Sequence, residues 1–143
     1  MPSVERTVTV DQPIEKVWTY LSDFTTTEEW DPPTVSTVRT SGDGGVGSTY
    51  TNVSKFLGNE TEVKYVVTEV VPHQRFQIAG DAGSMDLLDT MTFEPTATGT
   101  SVTYHAEFSP HGAAKLAEPL MPLALKVLAD KVAASMEEKL AAL

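Results

Sequence analysis

Residues 4–24 have the sequence VERTVTVDQPIEKVWTYLSDF, in which the spacing of the apolar residues changes once. Apolar and polar residues alternate over 4–10, which predicts a half-buried strand. Over 14–21 the apolar residues recur at spacings of three and four, which predicts an amphipathic helix. We expect Asp11 to cap this helix and Pro13 to lie in its first turn. The chain therefore begins with a strand followed directly by a helix.

The sequence that follows, from Thr34 to Pro110, is rich in β-branched and aromatic residues and is broken by short turn sequences. It predicts five or six further strands, at approximately 34–40, 48–57, 60–71, 75–80, 84–94 and 100–109. Because every break is short, we expect consecutive strands to pair as antiparallel hairpins.

Two further helices are predicted, one on each side of these strands. A short one is expected within 25–30, before Pro32 ends it. At the other end of the chain, apolar residues recur at helical spacing over 125–140, and Pro119 and Pro122 should kink this helix or confine it to the residues beyond them. An antiparallel sheet with one apolar face needs a cover, and this long helix can provide it.

Composition limits the function classes. The chain has 143 residues, 10 basic and 20 acidic side chains, a net charge of -10 and no cysteine. The length predicts a single domain over residues 1–143. The excess of acid argues against nucleic acid and anionic membranes as partners, and the lack of cysteine excludes thiolate chemistry and cysteine-based metal sites. The sequence contains no run of about 18 apolar residues, so we expect no stable membrane insertion. We also expect a cytoplasmic protein.

The order of elements and several motifs resemble the START-like or SRPBCC superfamily, which includes the major birch pollen allergen, lipid-transfer START domains and polyketide cyclases. The motifs are 8–11 (VTVD), 13–24 (PIEKVWTYLSDF), Trp30 with Pro32 and Pro33, 45–47 (GVG) before a strand, and 67–72 ahead of Arg75 and Phe76. The resemblance implies an α+β helix-grip fold: a curved antiparallel sheet of six to seven strands around a long C-terminal helix, with two short helices after the first strand. It also implies a cavity between the sheet and that helix.

Strand alternation and the expected position of the long helix select the residues that should line this cavity. For the strand at 48–57 the pattern leaves the facing open. The candidate ligand-binding residues are Trp30, Tyr50, Tyr65, Phe76, Met85, Leu87, Asp89, Met91, Tyr104, Met121, Leu125 and Leu128.

Asp89 is the exception among these residues, because it shares a strand face with apolar neighbours. A carboxylate buried alone is costly, so it must recruit a partner, shift its pKa or leave the core. One interpretation is that Asp89 orients a ligand or acts as an acid or base. The other is that a bulge turns it outward, or that Tyr65, Tyr104 or Arg75 satisfies it structurally.

Three functions fit this pattern. The leading hypothesis is a protein that binds or carries a small hydrophobic or amphipathic molecule of lipid, polyketide or aromatic type. The second is an enzyme resembling polyketide cyclases and aromatases, with Asp89, Tyr65 and Tyr104 as candidate catalytic groups for proton transfer. The third is an interaction module with a filled cavity, resembling the chaperone-cofactor branch of the superfamily. We expect no cofactor and no metal, because the three histidines have no ligand spacing, and the sequence does not predict the oligomeric state.

Overall fold

Seven strands form one antiparallel sheet in a computed structural model that describes residues 2–56 and 59–143. The order across the sheet is β1-β7-β6-β5-β4-β3-β2, so every consecutive pair from β2 to β7 is a hairpin, and β1 closes onto β7. The strands are β1 (Ser3–Val10), β2 (Thr34–Ser41), β3 (Thr49–Phe56), β4 (Asn59–Val71), β5 (Arg75–Asp81), β6 (Met85–Pro95) and β7 (Thr100–Pro110). The predicted helix-grip class is confirmed. Residue 57, the predicted end of the third strand, lies outside the described residues.

Three α-helices accompany the sheet: α1 (Ile14–Leu21), α2 (Thr27–Trp30) and α3 (Met121–Ala141). A short 3₁₀ segment, Phe24–Thr26, precedes α2, and another, Gly112–Leu120, precedes α3. The long α-helix begins at Met121, beyond Pro119 as predicted, whereas Pro122 lies in its first turn rather than before it. Among the described residues, no helix combines the length and hydropathy needed to cross a bilayer.

The predicted cap of α1 is wrong. Pro13 itself occupies the N-cap position, where it makes no side-chain hydrogen bond. The Asp11 carboxylate instead accepts a hydrogen bond of 3.0 Å from the Thr98 hydroxyl. Asp11 therefore joins the end of β1 to the turn between β6 and β7 rather than capping the helix.

Helix α3 covers the apolar face of the sheet with a stripe of five buried residues: Leu125, Ala129, Val132, Met136 and Leu140. It packs against β1, where the Arg6 guanidinium donates a hydrogen bond of 2.9 Å to the Asp130 carboxylate. The facing of β3, which the sequence left open, is set by Tyr50 and Asn52, both of which are buried. Of these two inward residues, Asn52 lines the candidate site.

Candidate functional site

A cavity of about 250 Å³ lies between the sheet and the N-terminal half of α3. Its walls are mainly apolar, and they come from the sheet, from α2 with the segment before it, and from α3. Four ionisable side chains line it: Asp31, Tyr65, Asp89 and Tyr104. An apolar cavity with a few polar groups is the usual form of a small-molecule site.

Asp89 reaches the cavity because β6 keeps its two-residue alternation through this position. It is 9% exposed and lies between two apolar residues of the neighbouring strands, Ile78 of β5 and Ala106 of β7. Neither neighbour can offer a hydrogen bond from its side chain. Tyr104 lies two residues from Ala106 along β7, within diagonal reach across the strand pair, and its hydroxyl interacts with the Asp89 carboxylate and favours its charged form. The bulge considered from the sequence is absent at this position, and Tyr104 is the partner.

Asp31 is a cavity carboxyl that the sequence analysis did not select as a site residue. It is the C-cap residue of α2, and its Oδ2 accepts a hydrogen bond of 2.6 Å from the Thr34 hydroxyl. The sequence signal was weak because Asp31 stands between a helix and two prolines, where strand alternation gives no direction. Its position directly after the predicted cavity residue Trp30 was the one available clue.

Burial perturbs both carboxyl groups. The pKa of Asp89 is raised to about 7, first by burial and second by the negative charge of Asp31, whereas the interaction with the Tyr104 hydroxyl opposes the rise. Burial also raises the pKa of Asp31, to about 6, against the effect of the Thr34 hydrogen bond. Because the two charges interact, they titrate as a pair, and near neutral pH the pair retains part of one proton.

The two tyrosines remain neutral donors over the same pH range. Burial, followed by the charges of Asp89 and Asp31, raises the pKa of Tyr65 and of Tyr104 well above the usual value. The Tyr65 ring lies over Gly80 of β5: a Cβ built on Gly80 would stand 2.6 Å from the ring edge. A position without a side chain therefore gives the Tyr65 ring the space it occupies.

Two other polar groups in the wall already have partners. The Asn52 amide donates a hydrogen bond of 2.8 Å to the Thr37 hydroxyl, and its carbonyl oxygen accepts one of 2.6 Å from Ser54. These groups satisfy one another inside the protein. The carboxyl and phenol groups are therefore the main hydrogen-bonding groups left for a ligand.

The structure brings nine of the twelve predicted ligand-binding residues to the cavity wall. They are Trp30, Tyr65, Met85, Leu87, Asp89, Tyr104, Met121, Leu125 and Leu128. Tyr50, Phe76 and Met91 face the same side of the sheet but do not line the cavity, and each is at most 2% exposed. The Phe24 ring, which lines the cavity, stands 5.6 Å from the Tyr50 ring and 6.5 Å from the Phe76 ring, measured between centroids.

Phe24, Ala129 and Val132 also line the cavity, although the sequence analysis did not select them. The helical stripe at 125–140 contained Val132, but periodicity alone does not say which part of a helix faces a void. In the part of the chain that the structure describes, no three His, Asp or Glu side chains converge in a way that would hold a metal ion.

Comparisons with known proteins agree with this architecture. A family model described as "Polyketide cyclase / dehydrase and lipid transport" matches residues 1–143. The fold is similar to that of the ZhuI aromatase/cyclase from Streptomyces sp. R1128, with a TM-score of 0.81, 14% identity and coverage of 96% of this chain and 92% of that one. It is also similar to Ara h 8.0201, with a TM-score of 0.69, 16% identity and coverage of 96% and 95%.

A protein from Thermus thermophilus has a TM-score of 0.69 and 17% identity, and the match covers 94% of this chain and 95% of that one. At these identities the likeness is one of fold. A comparison with curated protein sequences finds no match.

Proposed function

We propose that this chain, which belongs to the polyketide cyclase/dehydrase and lipid-transport family, binds a small amphipathic molecule in the cavity beneath α3. The apolar part of the ligand would lie against the aromatic and aliphatic walls. A polar group of the ligand would meet the carboxyl and phenol groups of Asp89 and Tyr104. Sequestration and orientation are then the functions of the site.

One observation carries this proposal: an apolar cavity of about 250 Å³ contains the buried Asp89–Tyr104 pair. Packed interiors contain few voids larger than a water molecule, so a cavity of this size is not ordinary packing. It lies slightly below the range of about 300–1,000 Å³ found for sites of drug-sized ligands. A ligand of modest size, with one polar end, fits these limits.

Filling the cavity tests the proposal. Ala129 lines the cavity from α3, whereas Ala134 of the same helix is exposed. We expect Ala129→Leu to weaken the binding of 2-phenylethanol by about tenfold or more, because the added side chain occupies the ligand's space. Isothermal titration calorimetry measures this, and native mass spectrometry of freshly purified protein identifies any co-purifying molecule.

Ala134→Leu adds the same side chain to the same helix without entering the cavity, so its affinity should match that of the wild-type protein. Equal affinity of the Ala129→Leu variant and the wild type would place binding elsewhere and end the proposal. The proposal would also be overturned if the wild-type protein bound neither 2-phenylethanol nor a charged analogue of the same size.

A second candidate function, proton transfer in an enzyme resembling polyketide cyclases, is favoured by the two carboxyl groups with pKa values of about 6 and 7. Groups that titrate near neutral pH suit general acid–base catalysis. This function uses the same cavity, and it would appear as turnover that Asp89→Asn removes without removing binding. No such observation favours the third hypothesis, an interaction module whose cavity is filled by side chains, because about 250 Å³ of the cavity is unfilled.

A further inference from the structure

The ionisable groups of the cavity wall are all acids. Two carboxyl groups, Asp31 and Asp89, and two phenols, Tyr65 and Tyr104, line it, whereas no Lys, Arg or His is found among the lining residues that the structure describes. A buried carboxylate is normally paired with a cation or satisfied by several donors. Here Asp89 has the Tyr104 hydroxyl and Asp31 has the Thr34 hydroxyl, and both donors are neutral.

The basic residue of β1 is engaged elsewhere. Arg6 of β1 is opposite Tyr104 of β7. Its guanidinium, however, donates to the Asp130 carboxylate of α3 at 2.9 Å and to the backbone carbonyl of Glu5 at 2.8 Å. The carboxyl pair therefore has no internal cation from β1, the strand that borders β7.

Aromatic rings line the same cavity. Phe24, Trp30, Tyr65 and Tyr104 all line the cavity, and the Trp30 ring meets the Tyr104 ring edge to face at a centroid distance of 6.0 Å. The faces of aromatic rings attract organic cations, and the attraction grows when water is excluded. The rings and the carboxyl groups thus favour the same kind of ligand group.

We propose that the occupant of the cavity is an organic cation, an amphipathic amine whose ammonium group lies beside Asp89 and Asp31 and whose apolar part packs against the aromatic walls. This inference rests on the proposed binding function and narrows its ligand class. A bound ammonium group supplies the charge partner that both carboxylates lack, and it donates hydrogen bonds to them. An anionic ligand, such as a fatty acid, would add a third negative charge to the same cavity.

Three probes of similar size and shape separate the charge states: phenethylamine, 2-phenylethanol and phenylacetate. We expect phenethylamine to bind the wild-type protein about tenfold more tightly than 2-phenylethanol at pH 7.5, and phenylacetate to bind most weakly. Calorimetry gives the affinities. Trp30 provides a second signal: in a Trp18→Phe variant it is the sole tryptophan, and it lines the cavity.

Variants assign the preference to the carboxyl pair. Asp89→Asn keeps the size of the side chain and a hydrogen-bonding group but removes the charge, so it should weaken phenethylamine binding by about tenfold and 2-phenylethanol binding by less. Asp31→Asn is the second test of the pair. Asp86→Asn is the matched control, because Asp86 lies on β6 three residues from Asp89, is exposed and does not line the cavity.

The pH dependence provides a further check. The titratable groups facing the ammonium site are Asp31 from the end of α2, Tyr65 from β4, Asp89 from β6 and Tyr104 from β7. The tyrosines stay neutral between pH 5 and 8, so the carboxyl pair alone gains charge in this range. Phenethylamine binding should tighten as the pH rises, whereas 2-phenylethanol binding should change little.

The outcomes separate the inference from the proposed function. If 2-phenylethanol binds as tightly as phenethylamine, or if Asp89→Asn and Asp31→Asn both leave the amine's advantage intact, the inference is overturned and the binding function stands. If none of the three probes binds, both are overturned. An advantage of the amine that both variants reduce and Asp86→Asn does not reduce supports both.

Discussion

Asp89 illustrates how the burial of one carboxyl group can oppose the stability of the fold. All the remaining inward residues of β6 are apolar. The neighbours of Asp89 on the adjacent strands, Ile78 and Ala106, are almost fully buried. The Tyr104 hydroxyl compensates part of the cost of burying the carboxylate, but it cannot neutralise the charge. In the unliganded protein Asp89 therefore keeps its proton up to about pH 7.

This gives a stability prediction. The pKa of Asp89 is raised from 3.8 to about 7 in the folded state, so between those pH values the folded state holds a proton that the unfolded state releases. The stabilisation is fully present below about pH 4 and is lost as the pH rises through about 7, an effect of up to about 4 kcal/mol. Asp89→Asn should therefore be more stable than the wild type at pH 8, with a smaller gain at pH 5.

Urea denaturation at both pH values measures this difference, with Asp86→Asn as the exposed control. In the Asp89→Asn variant the free energy of unfolding should still fall as the pH rises, because the pKa of Asp31 is also raised. A variant that loses stability equally at both pH values would contradict the prediction and show that the carboxylate is needed in its charged form.

The sequence could identify Asp89 and could not identify Asp31. Strand alternation places every second residue on one face, so an acid in phase with four apolar residues is visible in the sequence. Asp31 follows a four-residue helix and precedes two prolines, and its direction depends on how α2 packs against the sheet. That packing is a long-range property, which local periodicity does not contain.

Helix α3 has two halves with different roles. Its first half contributes Met121, Leu125 and Leu128 to the cavity wall, whereas Met136 and Leu140 in the second half are at most 1% exposed in the packed core. One apolar stripe therefore both anchors the helix and encloses the cavity.

Truncating one residue in each half should separate the two roles. We expect Met136→Ala to lower the free energy of unfolding by about 2–5 kcal/mol, because it leaves a void among tightly packed neighbours. Leu128→Ala should cost less, since Leu128 already borders a void, and it should change 2-phenylethanol affinity more. Urea denaturation and calorimetry on both variants measure these effects, and the reverse order in either measurement would refute the division.

At the level of elements, the sequence predicted nearly all of the fold and only part of the wall. The six strands between 34 and 110 begin and end within about two residues of the predicted positions, because turn residues and alternation are local signals. Phe76 and Met91 were assigned to the correct face but not to the correct depth, and Tyr50 was selected as a cavity residue although the facing of its strand was left open. The Phe24 ring lies near the rings of Tyr50 and Phe76 and is the one of the three that lines the cavity, and strand alternation contains no measure of such depth.

For the whole molecule, the net charge of -10 is unevenly distributed. Residues 1–40 carry 3 basic and 7 acidic groups, residues 41–111 carry 3 and 9, and residues 112–143 carry 4 and 4. The acid is thus on the sheet and the first helices, while the segment that covers the cavity is neutral. A negative field of this kind attracts cations and repels anions before any contact is made.

Ionic strength should therefore affect the charged probe and the neutral probe differently. The Debye length falls from about 30 Å at about 0.01 M salt to about 10 Å at about 0.1 M. Over this range we expect the association rate of phenethylamine to fall severalfold and that of 2-phenylethanol to stay constant. Stopped-flow fluorescence of Trp30 measures both rates, and equal salt dependence of the two probes would contradict an effect of the molecular charge.

Gly80 has a consequence for how this protein can diversify. The residue belongs to β5 and does not line the cavity, yet the Tyr65 ring occupies the space where its side chain would be. Any larger residue at this position must push the ring away from the strand. A residue that does not line the cavity thus limits its width, and a substitution there can change the size of molecule that the cavity accommodates.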